Sequence, residues 1–340
     1  MSRLIQAFDI AAPQWPTVDP FLFVAHHLDA YPAADGQTQG PPRALLRGRD
    51  LGMDFAGREG WNMYHGDVVP GFPQHPHRGF ETVTLVEEGL VDHTDSAGAV
   101  ARYGAGDAQW LTAGSGVAHA EMFPLTRADG PNPLHLFQIW LNLPLATKDA
   151  PAHFSMFWAD QLPIVETSDA AGRLSRVKLV AGRFGEATPP APPTASWAAR
   201  PESDLAIWHA TLDPDAVLTL PVSAGPDTIR VLYPYEGTLT VDGETLAGRG
   251  AVVDAATPLE VTAGSAGARL LVLQGRPIGE PVYQQGPFVA ASKDGLRAAF
   301  ADYNAGRFGR WPHASDAPVQ PHGTGRFARY PDGRVSTPAR

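Results

Sequence analysis

The chain has 340 residues, a formal net charge of −10 and no cysteine. This length allows two domains of ordinary size, and the lack of cysteine excludes disulfides, thiolate metal sites and cysteine nucleophiles. The acidic charge argues against direct nucleic-acid binding, which needs concentrated lysine and arginine.

The sequence also argues against membrane insertion and secretion. No run approaches ~18 uninterrupted apolar residues. The first residues, MSRLIQAFDIAAPQWP, lack the basic and apolar regions of a secretory signal. With no cysteine available for disulfides, we expect a cytoplasmic protein without a membrane segment.

Short apolar runs between glycines and prolines fill most of the chain. In chain order they include ETVTLVEE, AQWLTAG, LHLFQIWLNL, IRVLYPYEG, LTVDG and ARLLVLQG. Short strands separated by turn residues are typical of an all-β sandwich or barrel. The exception is residues 292–305, where helical spacing of apolar residues, Ser292 as N-cap and Gly306 as cap glycine predict a helix.

The strongest functional signal is a pair of short runs that each carry two metal-ligating side chains. These runs are His75-Pro76-His77 and His119-Ala120-Glu121. Because residues i and i+2 of a strand share a face, each run directs two ligands to one side, and two such strands could hold one ion. Three imidazoles and a carboxylate suit a divalent first-row metal and leave positions open for water, substrate or O2. A single histidine would be better explained as a residue on a surface strand, but the paired spacing favours metal.

Glu81 is a further candidate ligand. It has the same parity as His75 and His77, so it shares their face if the strand is regular. A bulge near Gly79 would reset the alternation and turn the Glu81 carboxylate away. Both alternatives are open at this point.

Four other histidines receive structural interpretations. His65 and His93 flank the ligand runs in sequence, and we interpret them as loop residues. The alternative is that they hydrogen-bond to the metal ligands and orient them. His26 and His27 are adjacent, so on a strand they face opposite sides and cannot share an ion.

A weak internal repeat predicts two related domains. It places Ser223 and Ala263 where the first half has His75 and His119. We therefore expect an N-terminal metal-binding domain over residues 1–150, and a C-terminal domain over residues 151–311 that lacks the metal ligands and contains the helix. Residues 312–340 carry little apolar patterning and are predicted to form a flexible tail.

The ligand runs lie within longer motifs that resemble the pirin family of bicupin metal proteins. The motifs are GFPQHPHRGFETVTLVEEG, GDAQWLTAGSGVAHAEM, QIWLNLP and GPFVAASKDGLRAAFADYNAGRFG, within about residues 15–310. The resemblance implies two cupin barrels (double-stranded β-helices, or jelly rolls) that face each other, with metal only in the N-terminal one. It implies Fe2+ held by His75, His77, His119 and Glu121, and so favours Glu121 over Glu81.

The resemblance implies one of two functions. The first is a quercetin 2,3-dioxygenase type of activity, in which the ring of a flavonol-like aromatic substrate is opened with O2. Glu121 would then also be catalytic, because a carboxylate within hydrogen-bond reach can take the proton of the substrate 3-hydroxyl. The alternative is a non-enzymatic metal- or redox-sensing regulator that binds protein partners. Zn2+, Mn2+, Ni2+ and Cu2+ are alternatives to Fe2+, since they accept the same donors. The residues expected to wall an aromatic pocket are Phe80, Trp110, Met122, Phe123 and Phe137.

Overall fold

The structure, a computed structural model, describes residues 3–339, and its regular secondary structure is almost entirely β-strand. The earlier strands are β1 (Leu4–Asp9), β2 (Gln14–Trp15), β3 (Phe21–Tyr31), β4 (Gly71–His77), β5 (Phe80–Glu88), β6 (Leu90–Asp95), β7 (Val100–Gly104), β8 (Ala108–Thr112), β9 (Val117–Met122), β10 (Asn132–Asn142) and β11 (His153–Phe157). The later strands are β12 (Ile164–Ser168), β13 (Leu174–Ala181), β14 (Ala206–Leu212), β15 (Val217–Leu220), β16 (Ile229–Val241), β17 (Glu244–Leu246), β18 (Arg249–Asp254), β19 (Leu259–Gly275), β20 (Tyr283–Gln285), β21 (Phe288–Ala290), β22 (Phe327–Arg329) and β23 (Val335–Ser336). Within residues 3–339 there is one α-helix, α1 (Lys293–Asn304), so the expected fold class is confirmed.

Helix α1 forms where the sequence predicts it. The Ser292 hydroxyl oxygen accepts a hydrogen bond from the Gly295 amide at 3.0 Å, which satisfies one of the free donors at the helix N-terminus. Gly306 follows the helix with a φ of +71°, the conformation that favours glycine beyond a helix end. Leu296 is buried and packs in one cluster with Phe288, which anchors the helix through its apolar face. No helix in the described part of the chain is long and apolar enough to cross a membrane.

The chain forms two compact units that are interleaved in sequence. The first, which we call the histidine unit, consists of His26–Gln138, Leu145–Ala159 and the described residues of Glu280–Arg340. The second unit consists of the described residues of Met1–Ala25, Ile139–Pro144 and Asp160–Gly279. The predicted domains, by contrast, are contiguous and place the helix with residues 151–311, whereas α1 belongs to the histidine unit.

Two sheets contain most strands of the histidine unit. In one of them the strands of this unit have the order β11-β8-β5-β10-β3, and the other has six strands in the order β23-β22-β7-β6-β9-β4. The apolar core of the unit includes Tyr31, Trp61, Leu111, Leu136 and Phe154. Both ligand runs lie on the second of these sheets, on β4 and β9.

The second unit is built on a nine-stranded sheet. Its main order is β1-β18-β16-β19-β14-β13-β12, with β15 added beside β19 and β17 beside β16. Its core cluster includes Leu179, Trp208, Leu232 and Ala263. Ala263, which the repeat aligns with His119, therefore packs among apolar side chains.

The C-terminal segment is packed where the structure describes it, so the expectation of a flexible tail is wrong there. β22 pairs with β7, and β23 pairs with β22. Ala328 is fully buried. The backbone N–H of Gln320 donates a hydrogen bond to Asp92 Oδ2 at 2.7 Å, and the backbone carbonyl of Gln320 accepts one from the Arg102 guanidinium at 3.1 Å. Strands of two or three residues carry too little apolar pattern to be detected from sequence.

Candidate metal centre

The two ligand runs lie on neighbouring antiparallel strands. β4 and β9 pair so that His75 is directly opposite His119, and directly opposed residues project to the same face of a sheet. The register shifts between Phe72 and His75, where β4 has one residue more than β9. This β-bulge places Phe72 opposite Glu121. The two strands therefore present a common face, here called the metal face.

The three histidines of the runs form a compact group on this face. Their ring centroids are 4.4 Å apart for His75 and His119, and 4.8 Å apart for His77 with each of the other two. One possible ligand atom from each ring lies within 4.8 Å of the others. His77 and His119 are buried, whereas His75 is only partly buried. The structure thus brings together the three imidazoles that the sequence singled out.

The protonation of these rings suits metal binding. The His75 Nδ1 lies 2.9 Å from the Pro73 carbonyl oxygen; since a carbonyl only accepts, Nδ1 carries the proton and Nε2 keeps its lone pair. Burial lowers the pKa of His75 to about 4. Burial, followed by the neighbouring imidazoles, also holds the pKa of His77 and of His119 well below the ordinary value. The rings are therefore neutral near pH 7, the form that ligates a metal.

Glu121 lies beside the histidine group. Its Oε2 atom is 3.8 Å from His119 Nε2 and accepts a hydrogen bond from the Gln138 side-chain amide at 2.7 Å. Its Oε1 atom is buried and has no hydrogen-bond partner, and the same holds for both ring nitrogens of His119. Burial raises the pKa of the Glu121 carboxyl. Buried polar atoms without partners are uncommon, and a cation beside His119 would satisfy Glu121 Oε1 and one of the two ring nitrogens of His119.

His93, for which the sequence favoured a loop position over support of the ligands, lies beside the site. It lies on β6 directly opposite Glu121 and is fully buried, so its interpretation as a loop residue is wrong. One possible ligand atom each from His93, His119 and Glu121 lies within 4.8 Å of the other two. His93 Nε2 is 3.0 Å from Asp95 Oδ2. The run His93-Thr94-Asp95 has the same two-residue spacing as the ligand runs, and this was the available signal.

Glu81 belongs to neither group of possible ligands found among residues 3–339. Its carboxylate is buried and accepts a hydrogen bond from the Thr112 hydroxyl at 2.6 Å. Gly79, with a φ of +85°, separates β4 from β5 and breaks the alternation that would have linked Glu81 to His77. The sequence left open whether Glu81 shares the face of His77 or is turned away by an irregularity near Gly79, and the structure shows the irregularity.

The apolar residues expected to wall a pocket divide between the two faces of their strands. Phe80 lies beside the group, with its ring centroid 5.0 Å from that of His77. Met122 follows Glu121 on β9, so it points to the opposite face. Phe72, which was not predicted, lies on the metal face because of the bulge.

Comparison with known proteins identifies two matching family models. Residues 46–141 match the model described as Pirin, and residues 207–309 match the model described as Pirin C-terminal cupin domain. A Pseudomonas aeruginosa protein named "Putative quercetin 2,3-dioxygenase" is 38% identical over 240 residues, which are 70% of this chain and 79% of that protein. A pirin-like protein of Caulobacter vibrioides is 37% identical over 243 residues, 71% of this chain and 82% of the relative.

A solved structure supports the same relationship. The crystal structure of a quercetin 2,3-dioxygenase from Acinetobacter baumannii has a TM-score of 0.71 and 25% sequence identity, and the match covers 91% of this chain and 99% of that one. The resemblance predicted from the sequence motifs is confirmed. The chain belongs to the pirin family, and its two domains are cupins of the pirin type.

Proposed function

We propose that the histidine unit binds a divalent cation through His75, His77, His119 and Glu121. The observation that carries this proposal is the contact between three neutral imidazoles, joined at His119 to a buried carboxylate. One of the two unpartnered ring nitrogens of His119 and the unpartnered Oε1 of Glu121 are the atoms that a cation would satisfy. The residues present therefore fit a metal of the type expected.

We propose Fe2+ as the cation. Imidazole and carboxylate donors with open coordination positions are typical of non-haem Fe(II) oxygenases. Metal analysis of purified protein, followed by titration of metal-free protein with Fe2+, Zn2+, Mn2+, Ni2+ and Cu2+, tests it directly.

The proposed reaction is the opening of a flavonol ring with O2 and release of carbon monoxide. When bound, the cation would act as a Lewis acid toward the 3-hydroxyl of the flavonol. Glu121 is proposed to ligate and also to accept the hydroxyl proton. Its Oε1 atom is free of hydrogen bonds, while the Gln138 amide holds Oε2 at 2.7 Å and fixes the orientation of the carboxylate.

The experiment is turnover of quercetin by iron-loaded protein in air, followed as loss of flavonol absorbance and as carbon monoxide released. We expect Glu121→Ala to lower kcat by about 10²-fold or more. His322→Ala is the matched control, because His322 is exposed and lies in neither group of possible ligands. Unchanged turnover in Glu121→Ala removes Glu121 from the mechanism. Tight metal binding without turnover of any flavonol refutes the enzyme and favours the regulator.

A further inference from the structure

A group of aromatic rings lies beside the accessible side of the candidate metal centre. His75, the partly exposed ligand, has its ring centroid 6.2 Å from that of Phe72. Phe72 is in turn 5.6 Å from His65, and His65 is 5.0 Å from Phe55. We call Phe55, His65 and Phe72 the aromatic platform. It forms a continuous path of rings from the surface to a candidate metal ligand.

Exposed apolar side chains lie in the segment that carries the platform. Phe55 is 49% exposed, and Met53 and Val68 in the same segment are 61% and 52% exposed. His65 is also exposed. Phe55 is in ring contact with His65 and with Phe72, and exposed aromatic side chains that contact one another often mark a binding site. The position of this group next to His75 indicates a ligand that also reaches the metal.

The segment that carries the platform is held rigidly. Asp54 is buried, and its Oδ2 accepts from Arg49 at 2.8 Å and from the Met63 amide at 3.0 Å. Tyr64 has a φ of +56°, a conformation that costs energy for a bulky residue. Its hydroxyl donates to Asp29 at 2.6 Å. A platform fixed before binding loses little entropy when a ligand arrives.

His65 adds a hydrogen-bond acceptor to the platform. Its Nδ1 lies 2.7 Å from the Gly52 carbonyl oxygen. Since that oxygen can only accept, the Nδ1 atom carries the proton, and in the neutral ring Nε2 keeps a lone pair. This lone pair can accept a hydrogen bond from a hydroxyl group of a ligand that lies on the platform.

We propose that the aromatic platform binds a planar, hydroxylated aromatic small molecule by ring contacts with Phe55 and Phe72 and by a hydroxyl donating to His65 Nε2. The ligand would extend from the platform toward His75 on the metal face. This inference rests on the proposed function, since it locates the substrate of the same centre. It makes Phe55 and His65 determinants of substrate affinity that contact no metal.

The test measures binding and turnover separately. The affinity for quercetin is measured by fluorescence titration of metal-free protein, and KM and kcat are measured on iron-loaded protein. We expect Phe55→Ala to raise both Kd and KM about three- to tenfold, from the loss of aromatic contact, with kcat changed by less than about twofold. His65→Phe keeps a ring but loses the hydrogen-bond acceptor. It should therefore weaken the binding of quercetin more than it weakens the binding of unsubstituted flavone, which has no hydroxyl to donate. Leu28→Ala is the control, because Leu28 is 69% exposed in the same unit and has no part in the platform.

The outcomes separate this inference from the proposed function. If quercetin binds metal-free protein and the Phe55→Ala and His65→Phe variants bind it more weakly than Leu28→Ala, the platform stands, even where iron-loaded wild type shows no turnover. If wild type turns over quercetin and the platform variants match Leu28→Ala in Kd and KM, ligand binding by the platform is refuted, whereas the proposed dioxygenase activity is supported. If no flavonol binds to the wild-type protein, the proposed role of the platform is wrong. It is also wrong if a protein partner, and not a flavonol, binds at these residues.

Discussion

Replacement of His119 by leucine should change stability in opposite directions in the metal-free and metal-loaded states. His119 is fully buried, and neither of its ring nitrogens has a hydrogen-bond partner. A buried polar group without a partner costs about 1–3 kcal/mol, while an imperfect apolar replacement in a core costs up to about 1.5 kcal/mol. The difference predicts that His119→Leu raises the free energy of unfolding of the metal-free histidine unit by about 1 kcal/mol.

When metal is added, the wild type becomes more stable than the His119→Leu variant. At a free metal concentration of 100 times Kd, binding stabilises the wild type by about 2.7 kcal/mol, and the variant loses this term. The assay is urea unfolding followed by tryptophan fluorescence, once with chelator and once with excess Fe2+ under anaerobic conditions. Thr82→Val is the control, since it removes a buried hydroxyl without a partner outside both ligand groups and should act alike in both states. A His119→Leu variant that is destabilised by more than about 2 kcal/mol without metal, and that still responds to metal as wild type does, would refute the reasoning.

Three further predictions concern the scaffold. Arg102→Ala leaves the buried Asp92 carboxylate without its cation, so it should cost about 3–5 kcal/mol and expose the C-terminal segment to limited proteolysis, read by mass spectrometry of the fragments. Gly79→Ala should cost about 2 kcal/mol or more in thermal unfolding, because φ is +85° and the new Cβ would lie 2.0 Å from the Val289 carbonyl oxygen. Burial, followed by His135, lowers the pKa of His26 from 6.5 to about 3. The unfolded chain therefore binds more protons in that range, and stability should fall with decreasing pH by at most about 1.4 kcal/mol per pH unit. His26→Leu should flatten this part of a denaturation-versus-pH profile.

The fold class and the group of three histidines could be predicted because they depend on local pattern. Alternation along a strand places His75 and His77 on one face, and the same two-residue spacing places His119 with Glu121. The pairing of the two strands then brings the runs together. The helix was equally local, since Ser292 and Gly306 mark its ends.

What could not be predicted depends on register and on contacts distant in sequence. A bulge of one residue in β4 decides that Phe72 faces the metal side, and no side-chain pattern encodes that bulge. His93 enters the site only because β6 pairs with β9. The interleaving of the two units likewise follows from where the chain crosses between sheets, which composition does not reveal.

The short C-terminal strands have a consequence for association between molecules. β22 occupies the side of β7 that is not paired with β6, and β23 covers β22 in turn. Without them, β7 would offer a row of vacant amide and carbonyl groups to any extended peptide. Shortening the chain to the end of the matched cupin model at residue 309 should therefore favour intermolecular strand addition and, at high concentration, insoluble aggregates.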